Sequence, residues 1–426
     1  MIQPVQSTKT TWFVYWVDLE EPVPAKGQDY FLPTLLIVCD ESGSPLASPE
    51  ILEELDQIRV ETFLLNLFEK LTPPDRLAIC ESDDWDEEGW KAFSEENRIE
   101  IRFQKFDQDG PAALRSLART VVLRFSREGA EAPDPESVAR GLVNTAMRVR
   151  SQEKKVALLR RALERDTDCS AARIELADLE FQNGNWKNCL TDYETVLSRE
   201  TPRWHDQNPD WWTDRSTRPF LRALYGRAMT LWHQSQHGSA AEQFEELLAL
   251  NPRDNQGVRF FIPLLKLLAE DPEAASAFFE RYEKEYPNDY SEPAILFGWG
   301  LTLSLNGQET EAKEKYRDGI LKNVYIAPML LEEPEPSRNL WQPNDRAEPN
   351  YAAEFIDSYA VLWDREPAAL RLLRETWEEL REKMAEILSL RERMTDYQDQ
   401  RYEPTYKTIW KNLIEQDEKL TSSSNL

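Results

Sequence analysis

Cysteine is scarce in this chain: four residues in 426, at Cys39, Cys80, Cys169 and Cys189, with no C-x-x-C pair among them. That spacing excludes a disulfide framework and a zinc site built on paired thiols, and it suits reduced thiols inside a cell. Histidine is scarcer, with only His205, His233 and His237. No H-E-x-x-H, G-x-S-x-G or Gly-rich phosphate loop occurs, and no carboxylate stands at triad-like spacing from a histidine. Hydrolase chemistry is therefore not expected, and no cofactor is implied. Apolar runs are short, none approaching the roughly 18 residues of a membrane span. The opening MIQPVQSTKT has neither the basic nor the apolar region of a secretory signal. A cytoplasmic protein without membrane contact is the expectation. Positive charge is also deficient: 51 Lys and Arg face 78 Asp and Glu, a formal net charge of −27. A field of that sign repels phosphates, so no nucleic-acid partner is expected.

What the chain does have is tryptophan, 14 residues, with a hydrophobic fraction of 41% that suits helical layers better than one large globule. Residues 1–126 read as a small α/β domain. Trp12–Val17, Leu35–Cys39, Leu77–Cys80 and Ile99–Phe106 are β-branched, aromatic or alternating runs, hence strands. Between and after them lie a helix with apolar Phe63, Leu64, Leu67 and Leu71, a short helix around Trp90–Phe93, and an amphipathic helix over Ala112–Phe125. The polar, Pro-rich segment 127–136 reads as a linker.

From about 137 to 330 the pattern is helical and repeats. Leu176-Ala177-Asp178-Leu179-Glu180-Phe181-Gln182-Asn183-Gly184-Asn185-Trp186 is followed by Cys189, Tyr193, Val196 and Leu197. A small residue ahead of a Gly, an aromatic after it, then small and aromatic positions four apart resemble the tetratricopeptide (TPR) repeat. Further copies carry Ala228, Trp232, Ala240 and Phe244, then Ala275 and Phe279, then Gly300, Gly307, Ala312 and Tyr316. Segment 199–219 interrupts the array as an insertion with Trp204, Trp211 and Trp212, and 331–350 reads as a loop. In the C-terminal helices, 351–420, Leu370, Leu373, Trp377, Leu380, Met384 and Ile387 follow a 3,4 spacing. That seam caps the solenoid or, alternatively, joins two copies; a monomer with a helical cap is the preferred reading. The tail 421–426 is polar and read as disordered. The fold class is thus α+β multi-domain: a small α/β domain, then an all-α TPR-like solenoid with a C-terminal helical cap.

Arg218-Pro219-Phe220-Leu221-Arg222-Ala223-Leu224, and above all Leu250-Asn251-Pro252-Arg253-Asp254-Asn255-Gln256-Gly257-Val258-Arg259, resemble bacterial relatives of the suppression of tumorigenicity 7 family. Tyr351-Ala352, Trp363 and Pro367–Leu370 extend the resemblance over roughly 218–373. It implies a helical-repeat fold and no established enzymatic activity. Read physically, Asn-Pro ends one helix, and Asp254 or Asn255 caps the next. The same segment reads either as a tight repeat junction or as a ligand contact through Asn255 or Arg259.

Residues 215–241 contain no acidic residue. Arg222, Tyr225, Met229 and His233 fall at 3,4,4 spacing on one helix face, and first helices of TPR hairpins line the concave side. A cationic wall with an aromatic neighbour suits an acidic peptide or C-terminus; alternatively, these arginines pair with the chain's own acids. The candidate binding set is Arg218, Arg222, Tyr225, His233, Asn255 and Arg259, serving a protein-interaction scaffold. The rival reading starts from Glu81–Glu88 after a strand end. Asp83 there and Asp18 at the end of the first strand are carboxylates where magnesium-dependent nucleases and phosphotransferases hold metal. The strand and helix order also resembles ribonuclease H-like folds, an analogy of fold alone. The bland alternative is a solvated acidic loop capping the next helix.

Overall fold

The computed structural model describes residues 10–18, 23–24, 30–31, 34–52, 55–82, 85–105, 134–204, 209–287, 289, 292–332, 340 and 345–422. The chain divides into two compact units, Met1–Asn183 and Gly184–Leu426. The helix expected over Ala112–Phe125 lies outside the described residues, as does most of the expected linker.

The first unit begins with strands β1 (Thr11–Asp18), β2 (Val23–Pro24), β3 (Tyr30–Phe31), β4 (Thr34–Cys39) and β5 (Glu50–Leu52). Helix α1 (Gln57–Phe68), strand β6 (Arg76–Cys80), helix α2 (Glu87–Asn97) and strand β7 (Glu100–Gln104) follow. Five strands make one sheet in the order β5-β4-β1-β6-β7. β4 is antiparallel to β1 and to β5, while β6 is parallel to β1 and to β7. The sheet is thus a three-strand antiparallel meander, β1-β4-β5, extended on its other side by the parallel crossover strands β6 and β7. Every residue of β4 is buried, which is why its run Thr34–Cys39 shows no alternation. The core joins Val14, Leu36, Val38, Leu77 and Ile79 of the sheet to Val60, Leu64 and Leu67 of α1 and Trp90 and Phe93 of α2. Here the helix face differs from the sequence reading. Leu71 is exposed beyond the end of α1 and Phe63 sits at the margin, because Val60 supplies the i−4 partner of Leu64. Asp56 and Asp86 accept backbone N–H groups at the two helix starts. The unit closes with helices α3 (Pro135–Ala146), α4 (Gln152–Arg165) and α5 (Ser170–Gln182), packed through Val138, Leu142, Leu159, Ala162 and Ala172.

The second unit is helical throughout its described residues: α6 (Trp186–Trp204), α7 (Arg218–His233), α8 (His237–Leu250), α9 (Ile262–Leu268), α10 (Pro272–Glu285), α11 (Pro293–Leu305) and α12 (Glu309–Lys322). The hairpins α7–α8, α9–α10 and α11–α12 share one turn. Gln236, Asp271 and Gln308 each donate a backbone N–H to the carbonyl five residues earlier, at 2.9, 3.0 and 2.9 Å. The residue before each donor is left-handed: Ser235 at φ 60°, Glu270 at 61° and Gly307 at 75°. That is the Schellman ending of a helix, repeated with fixed geometry. Gly184, ahead of α6, has the same conformation at φ 73°. α6 runs through Pro202 to Trp204 and α7 begins at Arg218, so both ends of segment 199–219 are helical.

After α13 (Ile326–Leu330) come α14 (Pro349–Tyr359), α15 (Val361–Asp364), α16 (Pro367–Glu379), α17 (Arg381–Gln398) and α18 (Tyr406–Thr421). Leu373, Trp377, Leu380, Met384 and Ile387 are buried in the same core as the repeats. The 3,4-spaced seam is therefore spent within the chain. It spans two helices, since α16 ends at Glu379 and α17 begins at Arg381. α17 and α18 are locked by a buried pair, Arg391 Nε and Nη2 donating to the two Asp417 oxygens at 2.9 Å each.

The turns give a direct test. Glu270 holds a conformation costing a non-glycine residue about 1–2 kcal/mol, so Glu270→Gly is expected to stabilise unit 2 by up to about 1 kcal/mol. Gly307→Ala should destabilise it by about 1 kcal/mol. Urea denaturation followed by helical circular dichroism measures both, and equal midpoints would contradict the assignment.

Candidate functional site

Hairpins stacked side by side present their first helices as one face, and here that face is α7, α9 and α11. The row Arg222, Tyr225, Met229 and His233 runs along α7. Arg222 and His233 are exposed, whereas Tyr225 and Met229 are half-buried. Tyr225 sets its ring edge-on to Phe244 at 5.7 Å, and burial raises the pKa of its phenol. His233 stacks flat on Trp186, with ring centroids 4.7 Å apart and planes 9° from parallel. Arg227 points elsewhere, bonding Gln243 and lying 3.5 Å from Glu194.

Farther along, the same face is covered by the chain itself. Tyr359 of α14 stacks on Trp232 of α7 at 5.8 Å, and Trp232 also meets Phe261, just ahead of α9, at 5.4 Å. Phe355 of α14 packs on Phe297 of α11 at 5.8 Å, and Trp363 adds a T-shaped contact at 6.4 Å. α11 is buried at every position from Pro293 to Thr302 and has no amphipathic stripe. A helix apolar all round must be covered on all sides. At α14 the chain supplies that cover. Glu292, ahead of α11, ties it down: it accepts from the Tyr351 hydroxyl and pairs with Arg346 at 3.2 Å. Burial raises the pKa of Glu292, partly offset by those two partners.

Arg218 begins α7 and turns toward the inserted segment. Its guanidinium lies 3.9 Å over the Trp212 ring and donates 2.8 Å to the Trp212 carbonyl. Trp211 in turn packs between Trp204 and Phe220, at 5.9 and 5.4 Å. The insertion is thus folded onto the body. Trp211 and Trp212, with Asp210 and Thr213, form one side of a cleft of about 250 Å³. Asn255 and Arg253 form the other side. Arg218 and Asn255 are brought to the same place through Trp212, one helical turn before Arg222. Asn255 donates to the Asn251 side chain at 3.0 Å.

Arg259 sits in a closed network. Asp254 and Asp289 oxygens lie 2.9 and 2.8 Å from its guanidinium nitrogens, and Tyr282 donates to Asp289 at 2.9 Å. Its flat face covers Phe260 at 4.1 Å and Tyr286 at 4.9 Å. Burial alone would depress the Arg259 pKa; hydrogen bonds to Asp289 and Asp254 override it and hold the group charged. Of the two expected caps, Asp254 takes the role. It accepts from the backbone N–H of Val258 at 2.8 Å and of Arg259 at 3.0 Å. It does so from a left-handed conformation, φ 47°, with Gly257 at φ 71° completing the turn. The segment 251–259 is built as a repeat junction, and a ligand carboxylate at Arg259 would compete with two carboxylates already there.

The rival metal carboxylates are less fully described. Asp18 closes β1, but its side chain, Asp83 and His205 lie outside the described residues. Among the described residues, no group of three His, Cys, Asp or Glu is arranged to hold a metal ion. Among them, too, no helix is long and apolar enough to cross a membrane.

No family model matches this chain, and no curated protein matches it. Neither comparison supports the resemblance to the suppression of tumorigenicity 7 family. Among solved structures, the chain is similar to YrrB, described as a TPR protein with an unusual peptide-binding site. The identity is 16% over 50% of this chain and 96% of that one, with a TM-score of 0.31. It is also similar to a tetratricopeptide repeat protein from Parabacteroides merdae, 17% identical over 72% of this chain and 92% of that one, TM-score 0.32. The TPR-like character rests on the chain's own hairpins, with their shared turn and their small-against-aromatic packing.

One consequence concerns the junction. Removing one member of a buried, hydrogen-bonded pair strands the other, at about 3–5 kcal/mol. Asp254→Ala also removes a cap and should lower unfolding free energy by about that amount in urea titration. Arg259→Met in the same chain should recover part of the loss. Additive effects of the two changes would show that the pair is not coupled.

Proposed function

We propose that the second unit is a non-enzymatic protein-interaction scaffold whose first-helix face takes a segment of a partner protein. One observation carries the reading: α14 already lies across this face, its Tyr359 on Trp232 and its Phe355 on Phe297, as a bound helix would. The face is thus of a kind that holds a helical segment through aromatic anchors, and the α7 row beyond α14 offers the same chemistry to an outside chain. Arg222 and His233 are exposed there, flanking half-buried Tyr225, in a stretch without acids. An acidic peptide or C-terminus matches that row, with guanidinium hydrogen bonds to carboxylate and the ring of Tyr225 beneath. Arg218 and Asn255 form a second contact point at the Trp212 cleft.

Substituting Glu for both Arg222 and His233 should abolish capture of partners in affinity purification from the source cell, with helicity unchanged. Both side chains are exposed, and the stack of His233 on Trp186 is a packing contact the change removes, which the helicity measurement monitors. Recovery of the same partners in the same yield by the variant would refute the assignment.

A second reading has one observation in its favour. Asp18 closes the central strand β1, beside the end of parallel β6, where open α/β sheets gather ligands. A magnesium-dependent nuclease or phosphotransfer enzyme would place its metal there, with Asp83 as companion. Millimolar Mg²⁺ or Mn²⁺ should then raise the melting temperature of the wild type, but not of an Asp18→Asn, Asp83→Asn variant. An identical melting curve with and without metal would dispose of it.

A further inference from the structure

The first unit contains a cavity of about 1180 Å³, larger than the roughly 300–1,000 Å³ of common small-molecule sites. It opens at the end of the sheet where β1 and β6 finish, beside Trp16 and Ser82, and at the starts of α1 and α2. Its two walls carry opposite charge. On the side of α3 and α4 stand Arg148, Arg150 and Arg161; on the side of α1 and α2 stand Asp56, Glu61 and Asp86.

Three of the acidic wall's carboxylates are engaged within it: Asp56 lies 3.1 Å from Arg59, Glu61 accepts from Gln57 at 2.7 Å, and Asp86 caps α2, while Glu96 of α2 is exposed on the same wall. The basic wall differs. None of the three arginine side chains has a hydrogen-bond or ion-pair partner among the described residues, although the chain has 78 acids to 51 bases. Arg161 is half-buried in that state. The segment from Pro135 to Arg165 holds eight basic residues and three acidic ones, in contrast to the acidic whole. Between the walls the lining is apolar. Ile58, which is 75% exposed, lines it together with Val149, Leu158 and half-buried Trp16.

We propose that this cavity is a binding site for a mononucleotide-class ligand: a phosphate-bearing small molecule with sugar hydroxyls and a flat ring. The phosphate would take the unpaired guanidinium groups, whose fork geometry suits its oxygens. The carboxylates opposite would accept from hydroxyl or amino groups, and the apolar strip by Trp16 and Ile58 would receive the ring. An acidic peptide would satisfy the arginines but leave the carboxylate wall facing like charge. The site does not depend on the repeats and stands or falls apart from the scaffold reading.

The test is isothermal titration of the full chain with AMP, GMP, CMP and UMP, with adenosine, pyrophosphate and a hexaglutamate peptide as separate arms. At least one mononucleotide should bind one-to-one below about 1 mM, and its nucleoside and pyrophosphate about tenfold or more weakly. Arg148→Gln with Arg161→Gln, and independently the exposed Arg150→Gln, should each weaken that binding about tenfold or more while leaving the melting temperature in place. Absence of binding by all four nucleotides overturns the proposal, as does undiminished affinity in both variants. Equal affinity for pyrophosphate alone or for hexaglutamate overturns it as well.

Discussion

The second unit depends on a ring or branched side chain meeting a bare Cα where helices cross. At Gly226 a Cβ would lie 2.3 Å from the Tyr193 ring; at Gly300 it would lie 2.7 Å from Tyr316. At Gly298 it would meet Leu264 at 2.8 Å, and at Gly319 the Phe297 ring at 3.0 Å. No real side chain tolerates the first three separations, so each crossing distance is set by the missing group. Because Tyr193, Tyr316 and Phe297 are themselves fully buried, their rings cannot swing aside. The spacing of α6, α7, α11 and α12 follows, and with it the width of the face that α14 covers.

Charge is organised around this packing. A chain of net charge −27 repels itself, yet several of its cations are placed inside rather than on the surface. Arg391 is buried against Asp417 and the Ala347 carbonyl, and Arg259 is wedged between Asp254 and Asp289. Each joins segments distant in sequence: α17 to α18, and the 251–259 junction to the end of the next hairpin. These pairs fix which segments meet, since a slip in either would strand an ion. The cations at Arg148, Arg150 and Arg161 do no such joining; they face a cavity. That contrast sets Arg259 and Arg391, which join distant segments, apart from the three that line the cavity.

The hairpins were legible because their signals are local. Gly307 marks a left-handed turn, and Ala240 with Phe244 or Ala312 with Tyr316 mark crossings. The turns at Ser235 and Glu270 carry no glycine, and there only the helix period on either side reveals the ending. Four strands of the first unit, β1, β4, β6 and β7, are legible as runs; β2, β3 and β5, of two or three residues, are too short to show a pattern, and the strand order is not legible because pairing is non-local. The role of Arg259 stayed open in sequence because Asp289 stands thirty residues away. α14 was the largest omission. Tyr351, Phe355 and Tyr359 at four-residue spacing say that a face is buried, but not that it is buried on Trp232 and Phe297. The cavity in the first unit was missed for a related reason. Arg148 and Arg161 belong to one sequence neighbourhood and Asp56 and Asp86 to two others, and no periodicity joins them.

The self-covered face also limits what a partner can do. α11 is apolar on every side, so exposing it would cost more than an exposed polar face could return on binding. A partner that displaced α14 would have to replace the Tyr359–Trp232 and Phe355–Phe297 contacts with contacts of equal area. One that used the α7 row alone would leave α14 in place and gain from Arg222, Tyr225 and His233 without that exchange. The second route asks less of the partner in ordering and desolvation. Under the proposed scaffold reading, α14 would then be a fixed wall, and an acidic segment would be held against it from the α7 side.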